Sequence, residues 1–114
     1  MTLKDQILAA KDQHLKKMHV SSWGVDVYIR VMTVGERDSW ELEWLNNKDR
    51  GGVSDFRAKF LARCLCDETG ARIFSDDDVS QLAGKSASVC MQLFEAAMEH
   101  NALTDEHVEE LAGN

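Results

Sequence analysis

In residues 14–36, HLKKMHVSSWGVDVYIRVMTVGE, the hydrophobic period changes from helical to alternating and back to helical. Leu15, Met18 and Val20 precede a turn at Ser21-Ser22-Trp23-Gly24, and Val25, Val27, Ile29 and Val31 follow it at every second position. That spacing predicts a β-hairpin with one apolar face, and it puts Asp26, Tyr28 and Arg30 on the polar face. Thr33 and Glu36 then stand at capping-box spacing, which ends the hairpin and starts a helix.

Helices flank this hairpin on both sides. Upstream, Thr2 and Asp5 repeat the capping-box spacing, and Leu3, Ile7 and Leu8 return to one face, predicting a short helix from Leu3 to about Gln13. Downstream, Trp40, Trp44 and Leu45 are expected along one side of a helix ending near Asn46-Asn47, and Lys48 to Gly52 forms a loop. A third helix from Ser54 or Asp55 turns Phe56, Phe60, Leu61, Cys64 and Leu65 inward, leaving Arg57, Lys59 and Arg63 as a solvated outer face. Asp67-Glu68-Thr69-Gly70 is a turn whose flanks, Leu65-Cys66 and Arg72-Ile73-Phe74, can pair as a small ribbon. Ser75 caps Asp76-Asp77-Asp78 ahead of Val79 and Leu82, and Gly84 ends that helix. Val89, Cys90, Leu93, Phe94 and Ala97 give the clearest amphipathic pattern, and Thr104 opens a last helix with Asp105 and Glu106 at its positive end. The expected class is α+β and mostly helical: about five short helices, one N-terminal hairpin and a small ribbon in a single domain, residues 1–114.

Composition narrows function mainly by exclusion. The 114 residues are 44% hydrophobic and 29% charged, ordinary for a globule, and contain no proline from which a rigid modular linker could be built. A net charge of −7 argues against a nucleic-acid backbone as partner. No apolar run approaches the roughly 20 residues that cross a bilayer, and the N-terminus lacks a secretion-signal layout, so no membrane partner is expected. Cys64, Cys66 and Cys90 are an odd set and read as reduced, partly buried thiols. Asp76-Asp77-Asp78 lacks the alternating spacing of a calcium loop, and Cys64-x-Cys66 lacks a second ligand pair for zinc, with none of His14, His19, His100 or His107 suitably placed. Ser22, Ser75 and Ser86 read as turn and cap residues rather than nucleophiles, and Gly51-Gly52 has no Lys where a phosphate loop needs one. Neither an enzyme nor a cofactor site is expected.

The tryptophans stand apart. Trp23, Trp40 and Trp44 are more than so small a core needs, and tryptophan is enriched at binding surfaces. Trp40 and Trp44, four residues apart, fit either the core of the second helix or a partner surface, and Trp23 at the hairpin tip fits either as well. With Tyr28 they make the candidate partner-binding set.

Order along the chain adds a resemblance. Trp23-Gly24 lies before a strand ending in Arg30, and Glu36-Arg37 stands at a helix start. Gly70-x-Arg72-Ile73-Phe74-Ser75-Asp76-x-Asp78-Val79 comes next, and Asn101 to Leu111 closes the series. In that combination, over nearly its whole length, the chain resembles the short form of the tail assembly chaperones of long-tailed, lambda-like siphophages. The resemblance implies a protein of the host bacterial cytoplasm that binds the tape measure protein and keeps it soluble, and that is absent from the mature virion. It also implies a longer form, made by ribosomal frameshifting, that recruits the major tail tube protein. Codons for Ala112-Gly113-Asn114 reading G-GGA-AAY would permit such a shift, and an exposed Gly113-Asn114 end would accept the extension. Many copies on one client, with apolar surface from the tryptophans, Met91, Phe94 and Met98, imply a homo-oligomer. The alternative is a small head–tail connector or other structural tail protein retained in the virion.

Overall fold

Side-chain caps set most of the helix starts. The computed structural model describes residues 1–52 and 54–102, so the helix expected from Thr104 and the Gly113-Asn114 end lie outside the described residues. Helix α1 is Leu3–Ala9 and α2 is Val34–Asn47, each opened by a reciprocal Thr–acid box. Helix α3 is Phe56–Cys64, α4 is Val79–Ala83, and α5 is Ala87–His100, where the Ser86 hydroxyl accepts from Val89 N–H at 3.4 Å. Ahead of α4, the Asp78 carboxylate accepts from Ser75 N–H at 2.9 Å and from its hydroxyl at 3.2 Å.

Strands β1 (Lys16–Val20) and β2 (Val25–Ile29) form the expected antiparallel hairpin, closed by Gly24 in the left-handed region at φ 67°. Val20, Val27 and Ile29 are buried from its apolar face, while Val25, near the tip, is exposed. A third strand, β3 (Leu65–Cys66), pairs antiparallel with β2 at Tyr28↔Cys66 and Ile29↔Leu65, so the sheet order is β1-β2-β3. The class is α+β, as expected.

The core lies where the sheet, α2, α3 and α5 meet. Trp40 stacks on Phe56 at 5.1 Å and on Phe60 at 5.0 Å between ring centroids, and Phe94 meets Phe60 edge-on at 5.3 Å. Offset and edge-on contacts suit aromatic quadrupoles, and burying these rings supplies much of the hydrophobic stabilisation.

Several expectations change. Helix α1 stops at Ala9 rather than near Gln13: after Leu8 only the small Ala10 returns to its face, and nothing in the described chain covers it. Leu65 leaves α3 and becomes extended, because its strand partner lies on β2. The ribbon shrinks to one bridge, Cys66↔Arg72. Leu45 is exposed instead of sharing a stripe with the tryptophans; at about 100° per residue it points well away from both. Lys59 and Arg63 are not a solvated face: both close on Glu43 of α2, at 2.7 and 3.5 Å, each less than a third exposed. Arg30 is not on a polar face either. Its guanidinium is buried and bidentate on Glu36, at 2.7 and 2.9 Å, and also donates to the Arg63 carbonyl at 2.7 Å. Phe94 is wholly core and offers no surface for self-association, whereas Met91 and Met98 remain half-buried.

Candidate functional site

A groove opens where α3, α4 and the first turns of α5 diverge. Gly84 ends α4, and Ser86 restarts the chain as α5 after a two-residue step, so the two helices splay over α3 rather than packing side by side. The cavity, about 550 Å³, has Phe56, Ala58, Leu61, Leu82, Cys90 and Met91 among its lining residues. That volume is within the range of small-molecule clefts, and its open shape also suits the apolar ridge of a helix.

Two cations and one carboxylate, Arg57, Lys85 and Asp55, stand among the lining residues. Arg57 and Lys85 flank the apolar lining, and among the described residues neither has a carboxylate partner. Arg57 lies 5.6 Å from the centroid of the Phe94 ring and Lys85 lies 5.8 Å from that of Trp23, so each cation rests on an aromatic face and stays available to an incoming anion. Burial pushes the Cys90 thiol up, with Lys85 opposing it, so the thiol packs rather than reacts. Among the described residues no three His, Cys, Asp or Glu side chains are placed to hold a metal.

The four candidate residues do not form one patch. Trp23, half-buried at the hairpin tip, reaches the groove through Lys85. Trp40 is 2% exposed and supports the groove from below through Phe56; as folded it presents no surface. Trp44 is half-buried on α2 with Lys48 5.8 Å from its ring centroid, and Tyr28 is half-buried in β2 between Lys17 and Cys66. Both stand apart from the groove lining.

Residues read from the sequence only as caps, core positions or parts of the resemblance turn out to fasten the elements together. Asn101, buried at the end of α5, accepts from Met32 N–H at 2.8 Å and donates to the carbonyls of Ala97 at 2.9 Å and Arg30 at 3.3 Å. It thereby ties α5 to the junction between β2 and α2. Its sequence signals were its place after an amphipathic run and at the head of the stretch that closes the resemblance. Glu36 is held at about 2 by the Arg30 guanidinium, with Thr33 helping and burial opposing. Cys64 beside them is pushed up to about 12 by burial. Arg72 bonds the Ala62 carbonyl at 3.0 Å and Asp76 at 2.9 Å. These are fastenings, and the groove residues are a different set: Arg57 was read from the sequence only as surface charge, and Lys85 was not singled out.

Compared with known proteins, residues 2–112 match the family model described as phage tail assembly chaperone. No curated protein matches the sequence. Among solved structures, the fold is similar to that described as the structure of the bacteriophage HK97 tail assembly chaperone, with a TM-score of 0.62 and 22% identity over 90% of this chain and 96% of that one.

Proposed function

The chain belongs to the phage tail assembly chaperone family, and on that premise we propose that it is a non-catalytic chaperone for the tape measure protein. It binds helical segments of that client in the host cytoplasm, keeps them soluble until the tail tube polymerises, and leaves before the virion is complete. A longer, frameshifted form would bring in the major tail tube protein, and several copies would serve one client.

The observation that carries this reading is the groove between α3, α4 and α5, with apolar walls that include Phe56, Leu61, Leu82 and Met91 and with Arg57, Lys85 and Asp55 among its lining residues. A helix laid there buries an apolar ridge, which supplies affinity, while acidic residues beside the ridge meet the two cations and fix its orientation. Trp23 extends the contact beyond the groove, and a half-exposed aromatic beside a cation is a common anchor for such a partner.

Co-expression with the tape measure protein tests it. The wild-type chain should keep that protein in the soluble fraction. Arg57→Glu with Lys85→Glu should lower the soluble amount several-fold, and Trp23→Ala should lower it with helix content unchanged. A tape measure protein equally soluble with the double variant would remove the groove from the mechanism. Abundant peptides of this chain in purified virions would favour the connector role instead.

A further inference from the structure

Helix α1 is formed by its own caps, and among the described residues nothing buries it. Asp5 N–H donates to the Thr2 hydroxyl at 3.1 Å and Thr2 N–H to the Asp5 carboxylate at 3.2 Å, yet Leu3, Ile7 and Leu8 are 72%, 63% and 74% exposed. A helix of seven residues is marginal in water, because few hydrogen bonds follow a costly nucleus; packing of the apolar face is what normally stabilises it. The root of this arm is anchored, since His100 Nε2 donates to the His14 carbonyl. A fixed root holds an uncovered apolar helix out from the body.

A second uncovered apolar face lies on α2. Val34, Leu42 and Leu45 follow the i, i+8, i+11 spacing of one helix side and are 80%, 56% and 56% exposed, with exposed Asp38 between them at i+4. Charge then decides what each surface takes. The arm, residues 1–13, balances Lys4 and Lys11 against Asp5 and Asp12, in a chain of net charge −7, and the Asp5 carboxylate is taken up by the Thr2 cap. Lys4 stands beside Ile7 and Leu8 at helical spacing. Among the described residues neither Lys4 nor Asp38 is in an ion pair. Lys4 on the arm and Asp38 on α2 are opposite charges, each set among exposed apolar residues.

We propose that α1 of one copy docks on the exposed face of α2 of a second copy, with Leu3, Ile7 and Leu8 covering Val34, Leu42 and Leu45 while Lys4 meets Asp38. The two surfaces differ, so the contact is heterologous: it closes reciprocally in a pair or runs head to tail into a ring or open array. It is separate from the client groove and needs no client.

Sedimentation of the full chain alone over a wide concentration range tests it. Assembly should grow with concentration, and Lys4→Glu or Asp38→Lys should each weaken it about tenfold, because attraction becomes like-charge repulsion. Mixing those two variants should restore assembly, since each then offers the face that opposes the other's altered charge. Ile7→Asp should abolish assembly without changing the thermal transition, α1 being outside the core. A wild-type chain that is monomeric at every concentration, or an assembly indifferent to both charge changes, would overturn the proposal. So would α1 amides that gain exchange protection only when the tape measure protein is added, which would assign the arm to the client. Arg57→Glu with Lys85→Glu should still assemble, so failure here leaves the client groove standing, and the reverse.

Discussion

Helices α1 and α2 begin with the same device and end in opposite situations. Thr2 with Asp5 and Thr33 with Glu36 make matching reciprocal caps, each with the acid's N–H donating to the Thr hydroxyl at 3.1 Å. Behind the second cap, Trp40 enters an aromatic cluster and Glu36 grips Arg30; behind the first, no residue is buried. A cap is therefore an instruction to start a helix, not to join a core. Joining depends on whether the face that follows meets another element.

The contrast breaks most sharply at the aromatic cluster. Trp40→Ala removes a ring packed on Phe56 and Phe60 and should cost about 3–5 kcal/mol, read as a lower thermal midpoint. Ile7→Ala in α1 should change the midpoint by less than about 0.5 kcal/mol, as expected of a surface position. A comparable loss from Ile7→Ala would mean that α1 packs on the body in solution.

Glu36→Gln is the next largest change, at about 2–3 kcal/mol, a value discounted from the fully buried case because Glu36 keeps some solvent contact. Its pH signature is specific. A carboxyl held at about 2 instead of its ordinary 4.5 contributes stability that is present above about 4.5 and is lost as pH falls towards 2. Denaturant melts across that interval should fall steeply for the wild-type chain, and removing this carboxyl should flatten the fall. An unchanged slope would show that the Arg30–Glu36 pair does not set the acid limb.

The smallest test exchanges the caps themselves. Thr33→Ala should lower global stability by about 1 kcal/mol, whereas Thr2→Ala should leave the melting midpoint unchanged and speed amide exchange only within α1. Equal midpoint shifts would erase the distinction between the two helices.

The candidate site was only partly legible. Trp23 was singled out by its place at the hairpin tip, and the structure leaves it half-buried there with Lys85 5.8 Å from its ring centroid, because a tryptophan beside a turn glycine has little room to be fully buried. The groove was invisible, since its walls come from three helices whose separation depends on how Gly84 and Ser86 turn the chain. Trp40 and Trp44 were inseparable by periodicity: only packing against α3 decides that one is enclosed while the other keeps an edge in solvent.

Local signals in the sequence determined the helix starts at Thr2, Thr33 and Ser75, the hairpin turn at Gly24, and the inward faces of α3 and α5. Each rests on contacts only two to four residues apart, where backbone geometry leaves few alternatives. Tertiary structure alone decided that Leu65-Cys66 joins the hairpin as a third strand, that Arg30 turns inward to Glu36, and that Lys59 and Arg63 close on Glu43. It also decided that, among the described residues, nothing covers α1. Those outcomes depend on which elements meet, and a hydrophobic period records which face is apolar without recording what will cover it.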